Sequence, residues 1–481
     1  MSPANGRTSF HPFGAMTMSQ LRKLPKSTVK AVLLLALPVL AEQLLAVGVG
    51  LVDTWLTGNY LPGDRYLAAI GQIAYLLWLI PNLFSFVSVG ATALVSRFTG
   101  SEDGAMANRA TNQAFLLGGL LSAVVTLWLS VGSEWLIRIL KLPPEAAELA
   151  LVYLRYLVPV IPAIMLERVA IACLQGAGDT VSGMVVRVVV NVCNVLLSIA
   201  LVVGWGPLPA MGWGGIALGT AISHVVGASI LVAVLLRGRV GLRIRPRQLT
   251  YDHDLSMRLL RVGIPGGIDV LLILFCHLWF LALINQLGTA QAAAHSLGIR
   301  IESLGYLPGA AFQVAAITLA GQYLGAKDST RAGRSVLISV LLGGGVMVAA
   351  GISFYFGGFA WASFFTGNAN SATAAQAAFL LKIAAFAMPT LAVSMIVSGA
   401  LRGAGDTRWP MLINTIGMLG VRVPGTYLAM GPLAGWASTL AANANDGILR
   451  AAWLMMFVDL AVRAVLVSLR FFHGGWKDTK V

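Results

Sequence analysis

Twelve apolar stretches dominate this chain, each long enough to cross a lipid bilayer as a helix. They lie near 29–57, 67–96, 111–133, 147–173, 184–204 and 212–236, then near 259–287, 293–324, 334–357, 375–401, 409–430 and 448–470. A helix needs about 20 mainly apolar residues to span the hydrocarbon core. Only 11% of the residues are charged and 57% are apolar, whereas soluble domains carry about 25% charged residues. The fifty-three glycines suit helices packed in lipid, where small residues let backbones approach. The expected fold class is an all-α integral membrane protein with twelve transmembrane helices.

Lys and Arg set the orientation. The formal charge of +14 is not gathered on one soluble module but lies in the connections between apolar runs, the pattern that fixes orientation in a membrane. It argues for membrane lipid and against nucleic acid as a partner. With the N-terminus inside, the even-numbered connections hold Arg97 and Arg109, Arg187, the run from Arg237 to Arg261, then Lys327, Arg331 and Arg334, and Arg402 with Arg408. The odd connections hold Arg65, Arg138 and Lys141, and the last four of them lack Lys and Arg. Arg22, Lys23 and Lys26 precede the first run, and Lys477 and Lys480 follow the last. The first run is too long for a signal-peptide core and has no convincing cleavage site. Both termini are therefore expected in the cytoplasm, with the chain in the inner (plasma) membrane. Cys173, Cys193 and Cys276 show no metal or redox spacing, and no cofactor is expected.

The sequence repeats. At an offset of 227, Pro38 falls on Pro265, Gly71 on Gly298, Pro81 on Pro308 and Pro162 on Pro389. Gln-Gly-Ala-Gly-Asp-Thr at 175–180 meets Arg-Gly-Ala-Gly-Asp-Thr at 402–407, and Gly100 meets Gly325 at an offset of 225. Six spans per repeat is an even number, so both halves enter the membrane in the same direction. The expected architecture is two six-helix lobes related by a pseudo-two-fold axis along the membrane normal, with a cavity between them. The divisions are a tail at 1–28, an N-lobe at 29–236, a basic cytoplasmic loop at 237–258, a C-lobe at 259–470 and a tail at 471–481. The basic loop faces anionic lipid.

On these residues the chain resembles the multidrug and toxic compound extrusion (MATE) family, within the wider multidrug/oligosaccharidyl-lipid/polysaccharide flippase superfamily. The resemblance runs from about residue 30 to 475. Its elements are Leu-Pro-Val-Leu-Ala-Glu-Gln-Leu-Leu at 37–45, Val-Asp-Thr at 52–54, Leu-Ala-Ala-Ile-Gly at 67–71, Gly-Gln-Tyr-Leu-Gly-Ala at 321–326, Arg-Val-Pro at 422–424, and the paired Gly-Ala-Gly-Asp-Thr turns. It implies proton- or sodium-driven export of organic cations or other amphipathic compounds by alternating access, by a monomer and without enzymatic chemistry.

Charges within spans are costly and functional by default. Asp53 stands where the family carries its N-lobe cation-coupling acid; the competing reading is a helix-end acid capped by solvent near Thr57. Glu42 lies eleven residues earlier, about three helical turns and so on the same face. Its repeat mate is Asp269, and with Gln43 the two acids are candidates to line a cavity for cationic substrate. The alternative is that each acid satisfies hydrogen bonding near a proline kink. Asn191, Asn194 and Ser198 form one stripe on the fifth span, with Thr220 on the sixth. In the family such a stripe hydrogen-bonds the first-span acid, although Ser198 replaces an Asp common in the proton-coupled branch. The sodium-coupled branch carries acids on the seventh and tenth spans, where this chain has apolar residues around Ile273 and Leu391. A proton is therefore the expected coupling ion, with sodium as the alternative. His277 is a candidate proton relay or a hydrogen-bonded interior histidine, and His295 is expected at the membrane interface. Asp459 and Arg463 have the spacing of an intrahelical ion pair. Six paired prolines, at 38, 81, 162, 265, 308 and 389, are expected to kink their helices.

Two other classes compete. A lipid-linked sugar flippase of the same superfamily would show two extra spans and a more cationic cavity, and the sequence displays neither. An integral membrane enzyme would need paired Asp-rich or His-Asp clusters, and none is visible.

Overall fold

The computed structural model describes residues 27–61, 64–139, 144–206, 209–245, 249–367 and 372–479. The basic positions 22, 23, 26, 141, 247 and 480 fall outside these. Helices α1 (Thr28–Tyr60), α2 (Asp64–Leu83), α3 (Ser85–Gly100), α4 (Gly104–Ile139), α5 (Pro144–Leu157), α6 (Ile161–Gly176), α7 (Thr180–Val203) and α8 (Trp213–Arg237) make the first half. The second half comprises α9 (His253–Asn285), α10 (Thr289–Gly325), α11 (Ser329–Thr366), α12 (Ala372–Gly403), α13 (Arg408–Thr415), α14 (Val423–Met430), α15 (Ala434–Ser438) and α16 (Ala444–His473). No strand occurs among the described residues.

Ten helical pieces are long and apolar enough to cross a membrane alone, with α5 and α6 counted as one. The pair α2 and α3, bent by 45°, supplies an eleventh. The twelfth crossing is the continuous run of α13, a π-helical segment at Ile416–Arg422 and α14. The π segment ends just before Pro424, whose ring cannot donate to the carbonyl four residues back. Several helices outrun their apolar cores. α11 has 38 residues, about 57 Å at 1.5 Å per residue, so it projects beyond a hydrocarbon core about 30 Å thick.

The prolines do not act alike. The chain breaks at Phe84, after Pro81, and a 3-10 turn at Val158–Val160 precedes Pro162. Their repeat mates Pro308 and Pro389 lie inside unbroken helices, as do Pro38 and Pro265. The expected kinks at these four give no helix break.

The turns of the two halves match in detail. Gly178 and Gly405 take φ of 92° and 88°, and Glu102 and Lys327 take 61° and 60°. Asp103 and Asp328 then each accept from the amide three residues on, at 2.9 Å. Asp179 accepts from Arg239 Nε at 2.6 Å, and Asp406 from Arg470 Nε at 2.9 Å. Each Gly-Ala-Gly-Asp-Thr turn is thereby clamped to the end of its lobe's last span.

The halves meet reciprocally at the end bearing the Arg-rich connector. Val32 and Leu35 of α1 are buried in a core with Leu319 and Tyr323. Their mates Leu259 and Val262 of α9 are buried in the core of the first half. A Cβ on Gly100 would overlap the carbonyl of Gln322, and a Cβ on Gly325 would overlap that of Arg97. Arg97 and Gln322 are themselves mates at the 225 offset, so the pseudo-two-fold axis passes between α3 and α10. Thr318 Oγ1 and Gln322 Nε2 each donate at 2.9 Å to the carbonyls of Gln175 and Gly176.

Candidate functional site

A cavity of about 670 Å³ lies between the halves, lined from α1, α2, α3, α6, α7 and α8 on one side and α9, α10, α12, α13, the π segment and α16 on the other. Glu42, Gln43 and His277 reach it, while Asp53, Asn191, Asn194, Ser198, Thr220 and Asp269 are not part of its wall. The candidate residues thus fall into three places.

The first is a polar cluster inside the N-terminal half. Asn194 Nδ2 donates to Thr220 Oγ1 at 3.0 Å, and the Tyr153 hydroxyl donates to the same oxygen at 3.2 Å. Asp53 is 4% exposed, Oδ1 of its carboxyl has no hydrogen-bond partner, and it acts electrostatically on Tyr153. A Cβ on Gly183 would lie 3.5 Å from Glu42 Oε2; Asp53 and Asn194 each lie eleven residues further along helices that rise together, which sets them at one level. Thr57 is fully buried within α1, so Asp53 is no solvent-capped helix end. Ser198 is buried with its hydroxyl unpartnered, and Gly219 leaves the space beside it. Asn191 Nδ2 is also unpartnered. Tyr153 was not singled out by sequence; its signal was a phenol within an apolar run.

The second is the N-terminal wall of the cavity. Glu42 pairs with Arg187 at 3.9 Å, and Glu167 with His224 Nδ1 at 2.8 Å. Gly227 has no side chain where Glu167 sits. Arg168 is exposed to the cavity.

The third is a chain of ion pairs in the C-terminal half. Asp269 is wholly buried and accepts from Arg402 and, at 2.6 Å, from Asn414 Nδ2. Arg463 Nη1 donates to Asn414 Oδ1 at 3.2 Å, and Arg463 and Arg422 both pair with Asp459, at 2.8 and 2.7 Å. The 459/463 pair is the one its spacing predicts, and Arg422 joins it from the π segment. Asn414 stands at the repeat offset of 227 from Arg187, so each half sets its first-helix acid against the same position of its fifth span. Asp269 is enclosed by donors, and its carboxylate does not line the cavity.

His277 lines the cavity, its Nδ1 2.7 Å from the Ile273 carbonyl and its ring edge-on to Trp78. His295, in the second turn of α10, is buried between helices and accepts from Trp453 Nε1 at 3.2 Å. The cavity's polarity is corrected: five arginines, 168, 187, 402, 422 and 463, line it against Glu42, Glu167 and Glu302. Sequence could not show this, because Arg187 and Arg402 read as loop residues and only folding turns them inward. Among the described residues no cluster of His, Cys, Asp and Glu is arranged to hold a metal ion.

The chain matches the MatE family model twice, over residues 38–200 and 265–428. The two matches begin at the repeat prolines. A probable multidrug resistance protein, NorM of Thermotoga maritima, is 28% identical, with 95% of this chain and 96% of that protein covered. The fold is that of a multidrug resistance MATE transporter of the MOP superfamily solved in an outward-facing conformation (TM-score 0.83, 20% identity, 93% of this chain and 96% of that one). It is equally that of a MOP superfamily transporter from Pyrococcus furiosus (TM-score 0.82, 20% identity, 93% and 95% covered), for which reverse polarity of the binding pocket is said to suggest a different function. With two lobes, twelve crossings and a family match covering both repeats, the chain belongs to the MatE family of membrane transporters and is not an enzyme.

Proposed function

We propose that this chain is a secondary antiporter that exports amphipathic compounds across the plasma membrane by alternating access, in exchange for a proton bound at Asp53. The observation that carries the reading is the buried Asp53 carboxyl with an unpartnered oxygen, set in a polar cluster apart from the cavity wall. A carboxyl so placed exchanges a proton by small changes in hydration, and Asn194, Thr220 and Tyr153, hydrogen-bonded to one another in the same cluster, would offer it polar partners on rearrangement. Ile273 and Leu391, at the places of the sodium branch's acids, present apolar side chains to the cavity. The Arg-rich connector end is read as cytoplasmic, so the sealed contact there corresponds to an outward-facing state.

The test is efflux from proteoliposomes under an imposed pH gradient without sodium, then under a sodium gradient at equal pH. The proton assignment fails if only the sodium gradient drives transport.

The five arginines on the cavity wall favour a second reading, a flippase for a lipid with a charged head. Flipping of a labelled phospholipid without any ion gradient would support that reading over antiport.

A further inference from the structure

We infer that the cavity takes an amphiphile with an anionic head, a carboxylate or phosphate group seated between Arg168 of one lobe and Arg402 of the other, beside Tyr306. The inference rests on the export reading above and names its substrate class.

Three observations support it. The first concerns which charges face the cavity. Arg168 is exposed there, with no ion pair or hydrogen bond to any described residue. The side chains of Arg187 and Arg402 are 24% and 11% exposed, against 10% for Glu42 and none for Asp269 and Asp459. An intramembrane charge is costly: Glu42 attracts Arg168 but is itself paired with Arg187, which Arg168 meets as a like charge.

The second is convergence. Arg168 and Arg402 come from different lobes, yet both act electrostatically on Tyr306, which is 42% exposed and lines the cavity. Two guanidinium groups and a phenol are all donors, and an anion placed among them receives charge-assisted hydrogen bonds. Glu302, one turn before Tyr306, acts on Arg422 instead.

The third is the inventory of hydrogen bonds on the C-terminal wall. Both oxygens of Asp269 accept from Arg402 and Asn414, and Asp459 Oδ2 accepts from Arg463 and pairs with Arg422, while Asp459 Oδ1, 2.8 Å from Arg463 Nε, makes no hydrogen bond. Arg402 Nε, Arg463 Nε and two nitrogens of Arg422 are likewise buried without a hydrogen-bond partner, four donors against that one acceptor. Donors are in surplus there, and a ligand must bring acceptors. Ile171, Ile273 and Leu391 give the apolar body a wall.

The test is calorimetry on the full chain in micelles with two probes sharing one dansylated twelve-carbon tail, one headed by carboxylate and one by trimethylammonium. The carboxylate should bind at least about tenfold tighter. Arg168→Gln should weaken the carboxylate about tenfold, leave the ammonium probe no weaker, and keep the melting temperature, because Arg168 makes no hydrogen bond or close ion pair to lose. Tighter binding of the ammonium, or carboxylate binding indifferent to Arg168→Gln, overturns the inference. Dihexanoyl phosphatidylglycerol is the competitor: its displacement of the carboxylate probe indicates a lipid head as the source, its failure to displace a soluble amphiphile, and both support the anionic class. Proteoliposomes separate the two claims. Arg168-dependent carboxylate binding without gradient-driven efflux defeats export and keeps the site; efflux of the ammonium alone defeats the site and keeps export.

Discussion

Glu42 and Asp269 hold the same place in the two lobes and do opposite work. Glu42 lines the cavity, bound only by the long 3.9 Å pair to Arg187 and with Oε2 unpartnered. Asp269 is fully buried, with both oxygens engaged. The lobes share a backbone plan but divide the chemistry. At this one repeat position the first half keeps an acid with a free oxygen, and the second locks its acid into structure.

Asp269→Ala should therefore destabilise the protein. It leaves Arg402 and Asn414 without their acceptor, and breaking such a buried pair costs about 3–5 kcal/mol. Glu42→Ala should cost less than about 1.5 kcal/mol by the same reasoning. Thermal unfolding in micelles, followed by circular dichroism, compares the two. Equal losses would contradict the assignment.

Asp53→Asn should abolish pH-driven efflux, by at least about 20-fold, while the protein folds normally. Amide and carboxyl have nearly the same volume, and removing an unpartnered buried acid relieves desolvation rather than creating it. Efflux from proteoliposomes beside a melting curve provides both readouts. Retained coupled transport would assign Asp53 a structural role only.

Gly325→Ala should hinder closure at the connector end, because the new Cβ overlaps the Arg97 carbonyl and lies 2.9 Å from Ser101 N. Backbone on both sides leaves no flexible side chain to yield. Disulfide formation between Ser101→Cys and Ala326→Cys should fall about fivefold or more, an effect of about 1 kcal/mol on the closed population. An unchanged yield would show that the seal tolerates separation.

Orientation can be read by labelling. Cysteines at Asn59 and Gln286 should react with an impermeant maleimide added outside, and cysteines at Ser101 and Tyr251 should not. All four are exposed and none has a positive φ, unlike Gly206 and Gly288, where a side chain would be strained. Labelling of Tyr251→Cys from outside would invert the topology.

The architecture was legible because it rests on span length, loop charge and repetition, all of which are linear in sequence. The repeat prolines and the paired Gly-Ala-Gly-Asp-Thr turns located both lobes. Breaks such as the one at Phe84 were less legible, since Pro308 has the same local chemistry as Pro81 and its helix stays intact. The polar stripe of α7 followed from helical spacing, but Tyr153 joined its cluster from a helix whose rotation no local pattern fixes. Least legible was the sign of the cavity. Arg168, Arg187 and Arg402 come from three helices, and their convergence depends on crossing geometry alone.

The reciprocal contact of Gly100 with Gln322, and of Gly325 with Arg97, is self-complementary: one surface meets a copy of itself across the axis. Such isologous geometry is what two identical subunits form in a symmetric dimer. Within one chain it makes the seal depend on two sites at once. A change at either glycine opens both sides of the same joint, so the two lobes are free to diverge in chemistry but not in the backbone that joins them.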